Sequence, residues 1–335
     1  MSDFYSNGKD TVVIPASQIP NFRFFKAHQR GVHKKLLFKL WGGLGDQLCA
    51  EPTLRFALEQ FKDCEISLAT DMPSLFSHLN FKKIYDTKKE QPNEQEHYTL
   101  YTIVPQDNLT WEFFSHMITN CVDFCSLCSI RCQLPISYKG LQLVGKEPKF
   151  ELCNDDIFVH AGRHWETKTF PKDWWDKVLS TLIEHNKRPI LIGADTDDNR
   201  GTVNVNTNGC IDLRNKLSIS ESIWLLQRSK VLLTNDSSPL HMAASEDPSD
   251  KSTGECEIGY IATAKHPDFI SHWRKGKWSY KMINHGNGGM WDLLDICPNK
   301  ENEVSAEHVS QEQLLKWLPD PTKYAMWAVN VIGTV

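Results

Sequence analysis

No apolar run in this sequence approaches the ~20 residues that a helix needs to cross a bilayer, which excludes a helical membrane span. The N-terminus, Met1-Ser2-Asp3-Phe4-Tyr5-Ser6-Asn7, lacks a basic start followed by an apolar core, so no secretory leader is expected. Ten cysteines without such a leader point to a reducing, cytoplasmic setting rather than a disulfide framework. Acidic residues are absent between Asp10 and Asp46, although the chain as a whole carries a net charge of −5. That gap holds Arg23, Lys26, Arg30, Lys34, Lys35 and Lys39, interleaved with Phe22, Phe24 and Phe25. A second basic and aromatic cluster, His272 to Lys281, includes Trp273, Arg274, Lys275 and Trp278. Two basic patches on an acidic protein point to a polyanionic ligand at defined places, against the simpler reading of two solvated faces.

What is present suits a soluble α/β protein. With 335 residues the chain is long enough for about two domains. A composition of 40% hydrophobic and 24% charged residues supports a sizeable core. Leu36–Leu40 reads as a strand, followed by the turn Trp41-Gly42-Gly43-Leu44-Gly45-Asp46 and a helix with Pro52 near its first turn. Cys64–Thr70 reads as a second strand, Asp86–Glu96 as a surface loop and Trp111–Leu134 as one long helix. Near residues 145–155 the pattern breaks and restarts with the strand Ile157–His160. A helix from about Trp174 to His185, a strand Pro189–Gly193, a helix Ser220–Arg228, a strand Val231–Thr234 and a helix after His241 follow. Strands alternating with helices in both halves predict parallel sheets covered on both faces, and two such units leave a cleft at the carboxyl ends of their strands. The expected division is 1–150, 151–310 and a tail 311–335 that packs back on the first domain.

Four groups of residues carry candidate chemistry. Gly42-Gly43-Leu44-Gly45-Asp46 sets glycines and a carboxylate at a strand-to-helix turn, without the third glycine of a dinucleotide fingerprint. Its missing fingerprint argues against a Rossmann-type UDP-sugar epimerase. A capping role for Asp46 is the plainer alternative. His160-Ala161-Gly162-Arg163 and Lys168 leave a buried strand with two cations suited to a diphosphate, or to surface ion pairs. Asp195 and Asp197, after Gly193, resemble a metal-binding Asp-x-Asp but suit a solvated turn better, with Asp195 also able to bind a ribose. Asn235-Asp236-Ser237-Ser238-Pro239-Leu240-His241 ends a buried strand in a polar turn at a helix start, a natural phosphate seat. The cysteines at 121, 125, 128 and 132 line one helical face, but the outer pair lies ~16 Å apart along the axis, at ~1.5 Å per residue. One tetrahedral zinc cannot span that, so a packed stripe is expected and no metal is assigned.

Together these segments resemble the heptosyltransferase-like glycosyltransferases of the GT-B type. Gly43-Leu44-Gly45-Asp46 with Pro52-Thr53-Leu54-Arg55 looks like that family's opening motif. His160-Ala161-Gly162 with Lys168-Thr169-Phe170-Pro171 looks like its phosphate-binding segment. Asn235 to His241 looks like its nucleotide signature, except that Ser238 stands where the family has glycine. The resemblance implies two Rossmann-like domains whose parallel sheets face a central cleft. It also implies an inverting, metal-independent transfer of a sugar from a UDP- or ADP-sugar, with no further cofactor. Asp46 would be the general base. His160, Gly162, Arg163, Lys168, Asp195, Asp236, Ser237, Ser238 and His241 would bind the donor.

The stretch around Trp111 and Cys121-Val122-Asp123-Phe124 looks instead like glycosyltransferase-like proteins of tailed phages, some of which put glucose or arabinose on hydroxymethylcytosine. The sequence therefore leads to double-stranded DNA carrying hydroxymethylcytosine as acceptor, in the host cytoplasm if the chain is phage-encoded. Acceptor binding is expected from Gly43, Gly45, Lys26, Arg30, Trp273, Arg274 and Lys275, with the loop Asn284–Gly289 closing over it. The alternatives are a lipopolysaccharide or other cell-surface glycan acceptor, and a non-catalytic binder of nucleotide sugars.

Overall fold

The computed structural model describes residues 34–101, 140–163, 168–194, 201–261 and 318–333, with shorter pieces at 5–6, 11–12, 125, 128–129, 132, 134 and 281–282. The described chain divides into two units, one ending at Leu143 and the other beginning at Val144. That boundary lies within a few residues of the break in the sequence pattern.

The first unit is built on four parallel strands: β1 (Lys35–Lys39), β2 (Glu65–Thr70), β3 (Lys83–Asp86) and β4 (Tyr98–Tyr101), in the order β3-β2-β1-β4. Leu36, Leu37 and Phe38 are successive and all fully buried. A strand covered on both faces reads as a continuous apolar run, which is why β1 was visible in the sequence. Two helices follow β1, α1 (Leu44–Leu48) and α2 (Glu51–Gln60), with Pro52 in the first turn of α2, where its missing N–H costs nothing. Within α2, Glu51 is fully buried and pairs with Arg55 at 2.6 Å. It also accepts the Gln142 N–H at 2.9 Å, while Arg55 donates to the Gly140 carbonyl at 2.5 Å. Burial pushes the Glu51 carboxyl up, and the Arg55 guanidinium opposes that. In the family-like motif Pro52–Arg55, arginine thus fastens the 140–142 segment to the sheet's helix.

The second unit carries six parallel strands: β5 (Asp156–His160), β7 (Arg188–Leu191), β9 (Ile211–Asp212), β10 (Val231–Asn235), β11 (Glu257–Ile261) and β12 (Lys281–Met282). Their order is β9-β7-β5-β10-β11-β12, the doubly wound arrangement, with its reversal between β5 and β10. A short antiparallel pair, β6 (Gly162–Arg163) and β8 (Gly201–Thr202), lies beside it. Helix α3 (Lys172–Glu184) buries Trp174, Trp175, Val178, Leu179 and Leu182, a spacing that forms one face. A capping box of Ser218 and Glu221 starts α4 (Ile219–Arg228). Both sheets and their covering helices form an α/β fold with parallel strands, as the alternating pattern predicted.

Three expectations need correction. The helix expected after His241 begins at Ser238 and includes it: α5 spans Ser238–Ala244. Proline at its second position made the start resemble loop, although proline is compatible with a first turn. The expected surface loop Asp86–Glu96 includes the last residue of β3 and a short 3-10 turn, Glu94–Glu96. The C-terminal segment, expected to return to the first domain, instead belongs to the second unit as α6 (Pro321–Gly333). Its apolar stripe, Tyr324, Ala325, Ala328 and Ile332, is buried in the core formed by α3 and the six-stranded sheet. The Tyr324 ring packs 5.3 Å from Trp174. Its hydroxyl donates to the Gly259 carbonyl at 2.6 Å and accepts the Thr234 N–H at 3.1 Å, bridging β10 and β11.

Most of the expected helix Trp111–Leu134 lies outside the described residues. Cys125, Cys128 and Ser129 are helical, Cys132 sits in a turn and Leu134 is not helical. Cys125, Cys128 and Cys132 are buried, as a packed stripe requires; Cys121 lies outside the described residues.

Candidate functional site

In the second unit the candidate residues converge at the reversal of strand order, the place where doubly wound sheets bind ligands. β5 ends at His160 and its neighbour β10 ends at Asn235. The backbone there crowds the His160 ring: a Cβ on Gly162 would stand 2.6 Å from His160 Cε1, and one on Gly193 would stand 2.9 Å from its Cδ2. Gly193 also has φ +115, a conformation that favours glycine. His160 is therefore enclosed, and burial pushes its pKa down to about 4, leaving a neutral imidazole at pH 7. Its Nδ1 meets the Ser237 hydroxyl at 3.0 Å. Ser237 also lies 3.1 Å from Thr234 Oγ1.

Those contacts give Ser237 an unusual task. It occupies the position before α5 with extended backbone, φ −158 and ψ 169, yet its side chain does not cap the helix. The hydroxyl turns instead towards His160 and Thr234. Ser237 and Ser238 are both partly exposed. Ser238, which stands where the enzymes that the sequence resembles have glycine, is the first residue of a right-handed helix, so a side chain is accommodated without strain there.

Beside this pair lies a buried ion pair. Lys168 Nζ stands 2.5 Å from Asp236 Oδ2, with the side chains 10% and 6% exposed. The segment bearing Lys168 is tied to β10 by the Asn235 amide, which donates to the Gly162 carbonyl at 2.8 Å and to the Lys168 carbonyl. Lys168 and Asp236 were each expected to meet the donor; the structure brings them to each other. Lysine has three N–H donors, so an anion can still share the ammonium, but it does so against a carboxylate already in place. Arg163 is half-buried on β6, and His241 is buried within α5. Asp195 lies outside the described residues.

In the first unit the glycine-rich turn also sits at a reversal of strand order, between β1 and β4. Asp46 is the third residue of α1, not the residue before the helix as the plainer reading had it. Even so it caps: Oδ2 accepts the Gly43 N–H at 2.8 Å. Gly42, with φ +100, makes room for that carboxylate, since a Cβ there would stand 2.6 Å from Oδ2. Asp46 is partly exposed, and Gly43 and Gly45 flank it on the same turn. The other expected acceptor residues, Lys26, Arg30, Trp273, Arg274 and Lys275, lie outside the described residues, as does the loop Asn284–Gly289.

Two residues that matter here were missed in the sequence. Asn235 was quoted in the motif but given no role, although a polar side chain ending an apolar strand signals a buried hydrogen-bonding task. Gln47 is 1% exposed and donates to the Gly42 carbonyl at 3.2 Å and to Asp71 at 2.6 Å, while accepting from Thr70 at 2.5 Å. It clamps the turn that presents Asp46. No sequence signal distinguishes it from an exposed glutamine on a helix. Among the described residues, no group of three or more His, Cys, Asp or Glu is placed to hold a metal ion.

Comparison with known proteins adds the following. No curated protein matches the chain. Among solved structures, TibC from enterotoxigenic E. coli H10407, an iron-containing dodecameric glycosyltransferase, superposes with a TM-score of 0.62 at 14% identity, covering 90% of this chain and 76% of that one. TibC in complex with ADP-D-beta-D-heptose gives 0.65 at 15% identity, with the same coverage. E. coli ADP-heptose lps heptosyltransferase II gives 0.52 at 13% identity, covering 88% of this chain and 99% of that one. At such identities the likeness establishes the fold. Residues 146–248, which contain every described donor-site candidate, match the model for glycosyltransferase family 9 (heptosyltransferase), so over that span the chain is similar to that family.

Proposed function

We propose that the chain is a glycosyltransferase that moves a sugar from a nucleotide-sugar donor to a hydroxyl of a surface glycan. One observation carries the reading. The segment similar to glycosyltransferase family 9 contributes His160, Gly162, Lys168, Asn235, Asp236 and Ser237 to the switch point of a doubly wound sheet. Two solved structures of similar fold name an ADP-heptose ligand or substrate, which makes an ADP-sugar the first donor to test. The acceptor order read from the sequence is reversed here. The similar structures named above are glycosyltransferases, two of them heptosyltransferases. The phage-like stretch and most of the basic residues behind a DNA acceptor lie outside the described ones, and Lys35 and Lys39, which are described, pair with Glu96 and Glu94.

In the proposed reaction the acceptor hydroxyl oxygen forms a bond to the anomeric carbon of the donor sugar. The bond from that carbon to the diphosphate breaks, and the nucleoside diphosphate leaves with the electron pair. Asp46 takes the hydroxyl proton; its Gly43 hydrogen bond holds the carboxylate in one orientation. Lys168, with Arg163, offsets the charge that develops on the leaving diphosphate, and Asp236 holds the Lys168 ammonium in place. Inversion at the anomeric carbon follows from a single displacement.

The test incubates the full chain with ADP-heptose and a panel of ADP- and UDP-sugars. A deacylated lipopolysaccharide core oligosaccharide and hydroxymethylcytosine DNA serve as separate acceptors, and products are weighed by mass spectrometry. The reading expects one glycosyl mass increment on the oligosaccharide. An increment on DNA alone restores the acceptor read from the sequence, and donor binding without any increment reduces the chain to a binder.

A further inference from the structure

Trp41 has a position that the proposed chemistry leaves unused. It is 59% exposed, the most exposed large apolar side chain among the described residues. Single exposed apolar residues are common and need no explanation by themselves. This one is set apart by how firmly its backbone is held and by what stands beside it.

On one side, the Leu40 N–H donates to the Ala69 carbonyl at 2.9 Å, tying the end of β1 to β2. On the other, the Gly42 carbonyl accepts from Gln47 at 3.2 Å, and Gln47 is itself fixed by Thr70 and Asp71. The main chain around Trp41 is therefore fixed by a buried network. Such rigidity suits a binding surface, because little ordering remains to be done when a ligand arrives. Beyond Gly42, the Asp46 carboxylate lies within 2.6 Å of where a glycine Cβ would be. Trp41 thus precedes, and the Asp46 carboxylate packs against, the same glycine just past the carboxyl end of β1.

We infer that Trp41 is the acceptor platform: its indole stacks on the apolar face of the acceptor's sugar ring and so presents a ring hydroxyl to Asp46. The inference rests on the transfer reaction proposed above and adds to it the residue that recognises the acceptor. A pyranose ring has an apolar face of C–H groups and a rim of hydroxyls. A flat aromatic surface meets the first, and a neighbouring carboxylate meets the second. The Asp46 carboxylate repels the diphosphate of a donor, which leaves this end of β1 to the uncharged acceptor ring.

The test uses the full chain as wild type, Trp41→Phe, Trp41→Ala and, as a control distant in sequence, Val144→Ser. With ADP-heptose and the deacylated core oligosaccharide, W41A should raise the acceptor KM about tenfold, the worth of one aromatic stack. Its donor KM should be unchanged, W41F should recover most of the loss, and V144S should match wild type. An unchanged acceptor KM in W41A, or an equal rise in both KM values, overturns the platform. A second measurement does not depend on turnover. The indole Nε1–H resonance of Trp41, identified by its loss in W41F, should shift when the oligosaccharide is titrated into 15N-labelled protein. If it shifts while no sugar is transferred, the platform stands and the transfer reaction falls. If it stays fixed with the oligosaccharide, or moves only with hydroxymethylcytosine DNA, the sugar platform is refuted.

Discussion

The ammonium of Lys168 and the carboxylate of Asp236 neutralise one another at 2.5 Å inside the second unit. Both belong to segments that the sequence assigned to the donor, and their pairing changes what each substitution should do. Removing one partner takes away the opposite charge that faces the other inside the fold, which costs about 3–5 kcal/mol. Lys168→Ala and Asp236→Ala should each lower stability by about that much in urea unfolding, whereas Lys168→Met with Asp236→Leu should recover much of the loss. Donor binding by calorimetry should be lost in the stable double variant as well. Its retention would show that the pair serves the fold alone.

His160 gives the second unit a pH dependence of definite sign. Its pKa is pushed down to about 4 by burial, against an unfolded value near 6.5. Above pH 6.5 neither state binds the proton, and the contribution is flat. Between pH 6.5 and 4 the unfolded chain binds it and the folded chain does not, so stability falls as pH falls. The full loss across that window is on the order of 3 kcal/mol. His160→Asn should be less stable at pH 7.5 but should show a smaller fall to pH 4.5. Urea midpoints measured at unit pH intervals provide the check, and equal slopes for both proteins would contradict it.

Gly42 should be the most sensitive glycine of the first unit. Its φ of +100 strains any other residue, and an added Cβ would meet Asp46 Oδ2 at 2.6 Å. Gly42→Ala is expected to cost about 1–2 kcal/mol and to displace the carboxylate. If Asp46 is the base, turnover should fall in G42A with donor affinity intact, and Asp46→Asn should lose about 10²–10⁴-fold in kcat. Steady-state kinetics on both variants would tell. Full activity in D46N removes Asp46 from the mechanism.

Tyr324 joins the terminal helix to the strand that carries Asn235. Tyr324→Phe keeps the ring against Trp174 and removes only the hydroxyl, leaving the Thr234 N–H and the Gly259 carbonyl without that partner. The expected cost is about 1–3 kcal/mol. Tyr324→Ala, which also empties a core site, should cost about 3–5 kcal/mol. Thermal unfolding of the two variants separates the hydrogen bonds from the packing.

The sheets were legible because their strands are buried on both faces: Leu36-Leu37-Phe38 and Val231-Leu232-Leu233 are apolar without alternation. Their parallel pairing was expected from the alternation of strands with helices, whereas their order in the sheets was not. The candidate site could be picked out where it depends on local chemistry, as at Gly162 and Ser237, each two residues past the end of a buried strand. What escaped the sequence depends on partners far along the chain. Lys168 and Asp236 are 68 residues apart, and Tyr324 lies 90 from Thr234. An amphipathic stripe such as Tyr324, Ala325, Ala328 and Ile332 shows that a helix needs a surface, but not which one. That is why α6 was assigned to the wrong domain.

The burial of Tyr324 also fixes an order of events during synthesis. β10 and β11 are complete once Ile261 has been made, but the hydroxyl that bridges them arrives only with residues 321–333. Until then, the face of the sheet that α6 covers, Gly259 among it, is open to water and to other nascent chains. The amino-terminal half can settle while the ribosome is still at work, whereas its successor must wait, exposed to aggregation or chaperone capture in the interval.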